Sequence, residues 1–318
     1  MDALFARLID DAAVFPPGNA AVPDAVRDHL THRSGWYAPL IGPLVLPDTE
    51  LAAAARAARE LDRDGTLPVS AVITSGAGGL TALARRELPG LRVVAAEIAL
   101  RDLDDLSGNA HRVVAAAHEF DPDEVTVFVE LPFRPGWVGA IEVIEAAGLS
   151  GKIRTGGVAP DAYPTADQLA EQLSELIEAD LPFKATAGLH RAWPNEALDA
   201  QGETLHQHGF LTLLMAVEAL VDGAGTDQAA ELLQLADPGR IYAALDDWDD
   251  TTAARVRRRF RSFGCCGVTD PVRDLVTLGL LDGPEPAGPE VDGPEPAGSE
   301  VDGPEPAGSA PAGSEAVR

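Results

Sequence analysis

Lys184, Thr186 and His190 fall at even positions of one short apolar run, Pro182 to His190. On an extended backbone they share a face, while Phe183, Ala185 and Leu189 share the other. An amine, a hydroxyl and an imidazole are groups that attack carbonyls or move protons. The preceding apolar run, Gly151 to Gly157, repeats the design, with Lys152 and Arg154 on one face and Ile153 on the other. Lysine and arginine are rarely buried without partners, so neighbouring strands with three inward cations call for anions or for a function.

Two carboxylates are placed to answer them. In Leu91 to Leu100, Glu97 shares a face with Val93, Ala95 and Ala99; in Glu124 to Leu131, Glu130 shares a face with Thr126 and Phe128. With strands in sequence order, Glu97, Glu130, Lys152, Arg154, Lys184 and Thr186 face one lumen. Five charges on four successive strands are costly to bury for stability alone, because apolar replacements of buried pairs are often neutral or favourable. This favours a function over a structural ion-pair network. Three cations against two carboxylates leave an excess cation, which points to a small anionic substrate, a phosphate or carboxylate, gripped by the Arg154 guanidinium fork. The turns Thr155-Gly156-Gly157, Thr186-Ala187-Gly188 and Ser75 to Gly79 offer backbone N–H groups to the same anion. The expected catalytic groups are therefore Lys184, Glu130, Glu97 and Lys152. The expected substrate contacts are Arg154, Thr155, Gly156, Gly157, Thr186, Gly188 and His190. No metal ligand or cofactor is expected among them.

The elements that must position these residues alternate. The spacing predicts strands at Leu40 to Leu46, Pro68 to Thr74, Leu91 to Leu100 and Glu124 to Leu131, then the Lys152 and Lys184 strands, each followed by a helical pattern. Six such units with nearly continuous apolar strands require a parallel sheet covered by helices. Right-handed crossovers close that sheet into a (β/α)8 barrel, with its site at the carboxyl ends of the strands. Phe210 to Val221, Thr226 to Leu235 and Pro238 to Leu245 read as helices without a seventh strand between them, and Arg259 to Cys265 reads as the eighth. An irregular seventh unit is therefore expected. A doubly wound open sheet competes, but no glycine fingerprint follows the first strand. Asp10 to Asn19, with Pro16-Pro17, reads as an irregular lead-in or a cap over a barrel end, whose carboxylates Asp10 and Asp11 are candidates to lie near a site.

The 318 residues suffice for one large core. We read residues 1–281 as one barrel domain and 282–318, where Asp-Gly-Pro-Glu-Pro-Ala-Gly recurs, as a disordered acidic tail. The net charge is −27, and −19 without that tail, which argues against nucleic-acid and anionic-membrane partners. The Arg255 to Arg261 cluster suits the solvated face of a helix running into a strand. Met1 to Phe5 shows no secretory pattern, and the only cysteines, Cys265 and Cys266, are sequence neighbours that rarely form a structural disulfide. A reducing cytoplasmic home is expected.

Lys-Ala-Thr-Ala-Gly at Lys184 to Gly188, one unit after the Lys152 strand and two after the strand ending in Glu130, resembles class I aldolases of the deoxyribose-phosphate aldolase type. The resemblance implies a Schiff-base lyase with Lys184 as imine lysine, Glu130 as acid/base residue and Lys152 as the cation that lowers the Lys184 pKa. In that family the second lysine follows the imine lysine and the acid is an aspartate; here Lys152 precedes Lys184 and the acid is a glutamate. Two alternatives stand beside it: a metal-dependent barrel using His190, His206 or His208 with Glu97 or Glu130, and a barrel that binds a metabolite without turning it over.

Overall fold

The computed structural model describes residues 2–157, 160–198 and 201–284. The repeats from 285 onward, read above as a disordered tail, lie outside the described residues. One compact unit spans Met1–Gly283.

In chain order the strands are β1 (Ile9–Asp11), β2 (Ile41–Pro47), β3 (Leu67–Ile73), β4 (Leu91–Ala99), β5 (Thr126–Glu130), β6 (Ser150–Arg154), β7 (Phe183–Thr186), β8 (Asn195–Leu198), β9 (Thr204–Gln207) and β10 (Phe260–Cys265). All but β8 and β9 form a closed parallel barrel in the order β1-β2-β3-β4-β5-β6-β7-β10, with β10 returning to β1. The barrel has its full eight strands.

The irregular seventh unit expected from the sequence resolves differently. The overlooked strand is the first. Ile9–Asp11 is only three residues long, too short to show a period of two, and Pro16-Pro17 follows closely. Its insertion makes the Leu40 to Leu46 segment the second barrel strand and the Lys184 strand the seventh. The connection from β7 to β10 is long because it holds the antiparallel hairpin β8–β9 and four helices, Phe210–Val221, Thr226–Leu233, Pro238–Asp246 and Asp250–Arg259. The last carries the arginine cluster into β10 as expected; Arg257 donates to the backbone carbonyls of Leu4, Ala6, Phe260 and Arg261.

Strand alternation divides two interiors. Outward residues such as Val127, Val129, Ile153, Phe183 and Ala185 are buried beneath the helices. Phe183 packs on Phe260 at 5.5 Å between ring centroids, and Phe210 stacks on Phe263 at 5.0 Å, fixing β10 and the following layer against β7. Inward residues carry the charges. The register sets Glu130 level with Lys152, and Lys152 level with Lys184. With strands ~4.8 Å apart, side chains in one row across three strands are within reach of one another.

Candidate active site in the barrel lumen

The inward charges form one chain of alternating sign. Lys184 Nζ lies 2.5 Å from Asp10 Oδ2 and 2.7 Å from Glu97 Oε1. Glu97 reaches on with Oε2 to Lys152 Nζ at 2.8 Å, Lys152 meets Glu130 Oε2 at 3.0 Å, and Glu130 Oε1 faces Arg154 at 3.7 Å. Two hydroxyls complete the buried end, Ser70 donating to Glu97 and Ser262 to Asp10, both at 2.7 Å. The Phe128 ring lies 5.4 Å from Lys184 Nζ. Side-chain exposure rises along the chain from 1% at Lys184 and Glu97 to 6% at Lys152, 19% at Glu130 and 48% at Arg154. The first members are a sealed floor and the last a wet mouth.

Asp10 corrects the charge count. Three cations meet three carboxylates, so the lumen has no surplus cation from these groups, and the excess expected from the sequence is gone. The segment's carboxylates were expected near a site, but the strand that turns Asp10 inward was missed, so Asp10 was left out of the count; the sequence signal is an acidic pair directly after the apolar Leu8-Ile9. Arg101, just past β4, brings a further cation to the cavity. Arg101 lines the cavity, donates to Thr74 O at 2.8 Å and has no carboxylate partner among the described residues.

The electrostatics also correct the expectation for Lys184. Burial alone would pull its pKa down, but the carboxylates of Asp10 and Glu97, both hydrogen-bonded to it, outweigh burial and hold it above lysine's ordinary 10.5. Lys152 and Arg154 do not depress it because Glu97 stands between the two lysines. The resemblance implied an amine with a lowered pKa, and the surroundings of Lys184 act in the opposite sense, favouring its charged form. The two acids around it differ. Burial raises Asp10, served by one ammonium, above its ordinary 3.8, whereas Glu97, with two, overcomes the same burial penalty and falls below 4.5.

A cavity of about 520 Å³ opens above this chain. Glu97, Glu130, Lys152, Lys184, Arg154, Gly157, Thr186, Gly188 and His190 all line it. Thr155 and Gly156 do not. Thr155 is fully buried, its hydroxyl donating to Ala187 O, and a Cβ on Gly156 would lie 2.5 Å from the Tyr163 ring and 3.0 Å from the Gly188 Cα. These positions let the loops after β6 and β7 press together, which is packing rather than anion binding. Tyr163, unnoticed in the sequence, donates to Gly157 O at 3.1 Å and joins the wall. The turn from Ser75 to Gly79 stays outside the cavity.

The three histidines considered for a metal are dispersed. His190 Nδ1 lies 3.8 and 3.7 Å from the thiols of Cys265 and Cys266, which are both free, and burial lowers its pKa below 6.5. His206 is exposed and pairs with Glu196 across the hairpin, and His208 bonds Pro164 O at 2.8 Å. Glu97 and Glu130 are committed to lysines. Among the described residues no three histidine, cysteine or carboxylate side chains are grouped to hold a metal ion. No helix among them is long and apolar enough to cross a membrane.

No family model and no curated protein matches the chain. Among solved structures, the dihydropteroate synthase of Yersinia pestis with a pterine-sulfa conjugate is 12% identical, with a TM-score of 0.40 over 87% of this chain and 93% of that one. Two structures of the Xanthomonas albilineans dihydropteroate synthase are 16% and 14% identical, each with a TM-score of 0.40 over 87% of this chain, covering 94% and 93% of theirs. Likenesses of that order carry no chemistry over to this lumen.

Proposed function

We propose that the protein is a barrel enzyme acting on the carbonyl group of a small anionic metabolite, a Schiff-base lyase whose nucleophile is Lys152. The observation that carries this reading is the place of Lys152 in the charge chain, between an acid that stays ionised and an acid that reaches water. Glu97, held below the ordinary carboxylate range by two ammoniums, is a fixed anion at one side. Glu130, 3.0 Å away on the other side and partly exposed, is placed to accept and return a proton.

The chemistry follows from those positions. Lys152 passes a proton to Glu130, and the free amine attacks the carbonyl carbon, forming a C–N bond as the C=O π pair moves to oxygen, which takes the proton that the attacking nitrogen loses. Glu130 then protonates the carbinolamine hydroxyl, which leaves as water. The resulting iminium cation sits beside Glu97, whose charge stabilises it where it forms. The electron pair of a breaking carbon–carbon bond then enters the iminium and leaves an enamine; in the reverse direction the enamine donates that pair to the new bond. Arg154 and Arg101 hold the anionic end. Lys184 remains protonated and keeps Glu97 in place. With Lys152 as the imine lysine, the second lysine follows on the next strand, the order found in the aldolases that the sequence resembles.

The test is borohydride reduction with candidate 2-oxo acids and sugar phosphates, followed by peptide mapping. A reduced adduct on Lys152, lost in Lys152→Met, is expected. Turnover without any adduct, or an adduct on Lys184, would overturn the assignment; binding with no turnover would leave the metabolite-binding barrel.

A further inference from the structure

The cavity has two kinds of lining. Beside the charged floor and Arg154 and Arg101, it is lined by an apolar set, Phe15 of the segment after β1 and Leu198 and Leu205 of the β8–β9 hairpin. A solitary exposed leucine needs no explanation. Leu198 is not solitary: it is 70% exposed, the most exposed large apolar side chain among the described residues, and it lines the same cavity as Leu205 and Phe15. A cavity of about 520 Å³ falls in the ~300–1,000 Å³ range that encloses a drug-sized ligand, and a three-carbon oxo acid would leave the apolar side facing water.

Resting on the carbonyl-lyase reading, we infer that the substrate is amphipathic: an oxo acid or related anionic carbonyl compound with a medium-length alkyl or an aryl body. The anionic group meets Arg154 and Arg101, the carbonyl meets Lys152, and the body lies between Phe15 and the hairpin leucines. The hairpin is then the specificity element. Its position in the connection after β7, outside the barrel ladder, lets its side chains vary without moving the charged floor.

Calorimetry with butanoate, hexanoate and octanoate reads the wall separately from the chemistry, because these carboxylates have no carbonyl to react. With roughly 0.8 kcal/mol per buried methylene, each two-carbon step should tighten binding about fifteenfold. Leu198→Asp, at an exposed position that the fold tolerates, should weaken octanoate at least about tenfold and narrow its advantage over butanoate. Equal affinities across the series, or an unaltered series in Leu198→Asp, would overturn the inference even if borohydride traps 2-oxo acids on Lys152. A graded series with no adduct from pyruvate, 2-oxohexanoate or 2-oxooctanoate would instead sustain the apolar wall and remove the lyase reading.

Discussion

The two ends of the lumen charge chain use the same residue types for opposite purposes. At the floor, Lys184 is enclosed by Asp10 and Glu97, with Ser70 and Ser262 filling the remaining lone pairs. At the mouth, Lys152 meets Glu130, which is partly exposed and only loosely opposed by Arg154. Both lysines lie between two carboxylates, but both acids around Lys184 are buried, whereas one of the two around Lys152, Glu130, reaches water. That opening is what the proposed proton exchange at Lys152 rests on. Exposure, more than residue identity, separates the two ends.

The comparison breaks most readily at Lys184. Lys184→Met strands two buried carboxylates, and removing one partner of a buried pair costs about 3–5 kcal/mol. Urea unfolding of this variant should show that loss; stability close to wild type would mean that the floor is not the anchor described. Titration probes the same group. Lys184 holds its proton more tightly in the folded state than at its ordinary 10.5, so its contribution is complete below about pH 10.5 and declines as pH rises beyond it. Glu97 works in the other sense, contributing fully above its ordinary 4.5 and losing that contribution as pH falls below it. The urea midpoint should therefore fall steeply on the alkaline side in the wild type and less steeply in Lys184→Met.

A smaller effect is expected from Ser262→Ala, which takes a hydroxyl donor from buried Asp10. Hydrogen bonds to charged groups contribute about 1.5–3 kcal/mol, and the denaturation midpoint should move accordingly with substrate contacts intact. The smallest stability effect belongs to the mouth. Glu130→Gln should stay within about 1 kcal/mol of wild type, as partly exposed pairs do, while turnover drops by about 10²–10⁴ through loss of the proton shuttle. A Glu130→Gln variant that unfolds as readily as Lys184→Met would erase the distinction between the two ends.

Legibility in the sequence follows the same division. Strands of four to nine residues set in apolar runs declared themselves, and alternation placed Glu97, Glu130, Lys152, Arg154, Lys184 and Thr186 on the lumen side. Three-residue β1 carries no period to detect, so the sequence put Asp10 near a site without placing it on a lumen strand, although it decides both the charge balance and the state of Lys184. The hairpin was equally silent: Asn195–Leu198 and Thr204–Gln207 are as short as β7 but lie in polar surroundings rather than in an apolar run. Thr155 and Gly156 misled for another reason. A glycine turn beside cations reads as an anion cradle, and only the Tyr163 ring and the Gly188 backbone against it show that the space is filled.

The span of the floor contacts sets the timing of assembly on the ribosome. Asp10 emerges early, yet the lysine that neutralises it lies 174 residues later, and the Ser262 hydroxyl lies 252 residues later. At ~5–20 residues per second, the first wait is on the order of ten to thirty seconds. Until then β1 has neither its second neighbour, β10, nor the cation that makes a dry aspartate tolerable. The nascent chain can build β2 to β6 and their helices as a curved open sheet, but translation must pass β10 before the lumen closes. The partly made chain is therefore without its sealed floor until nearly the whole barrel has been synthesised.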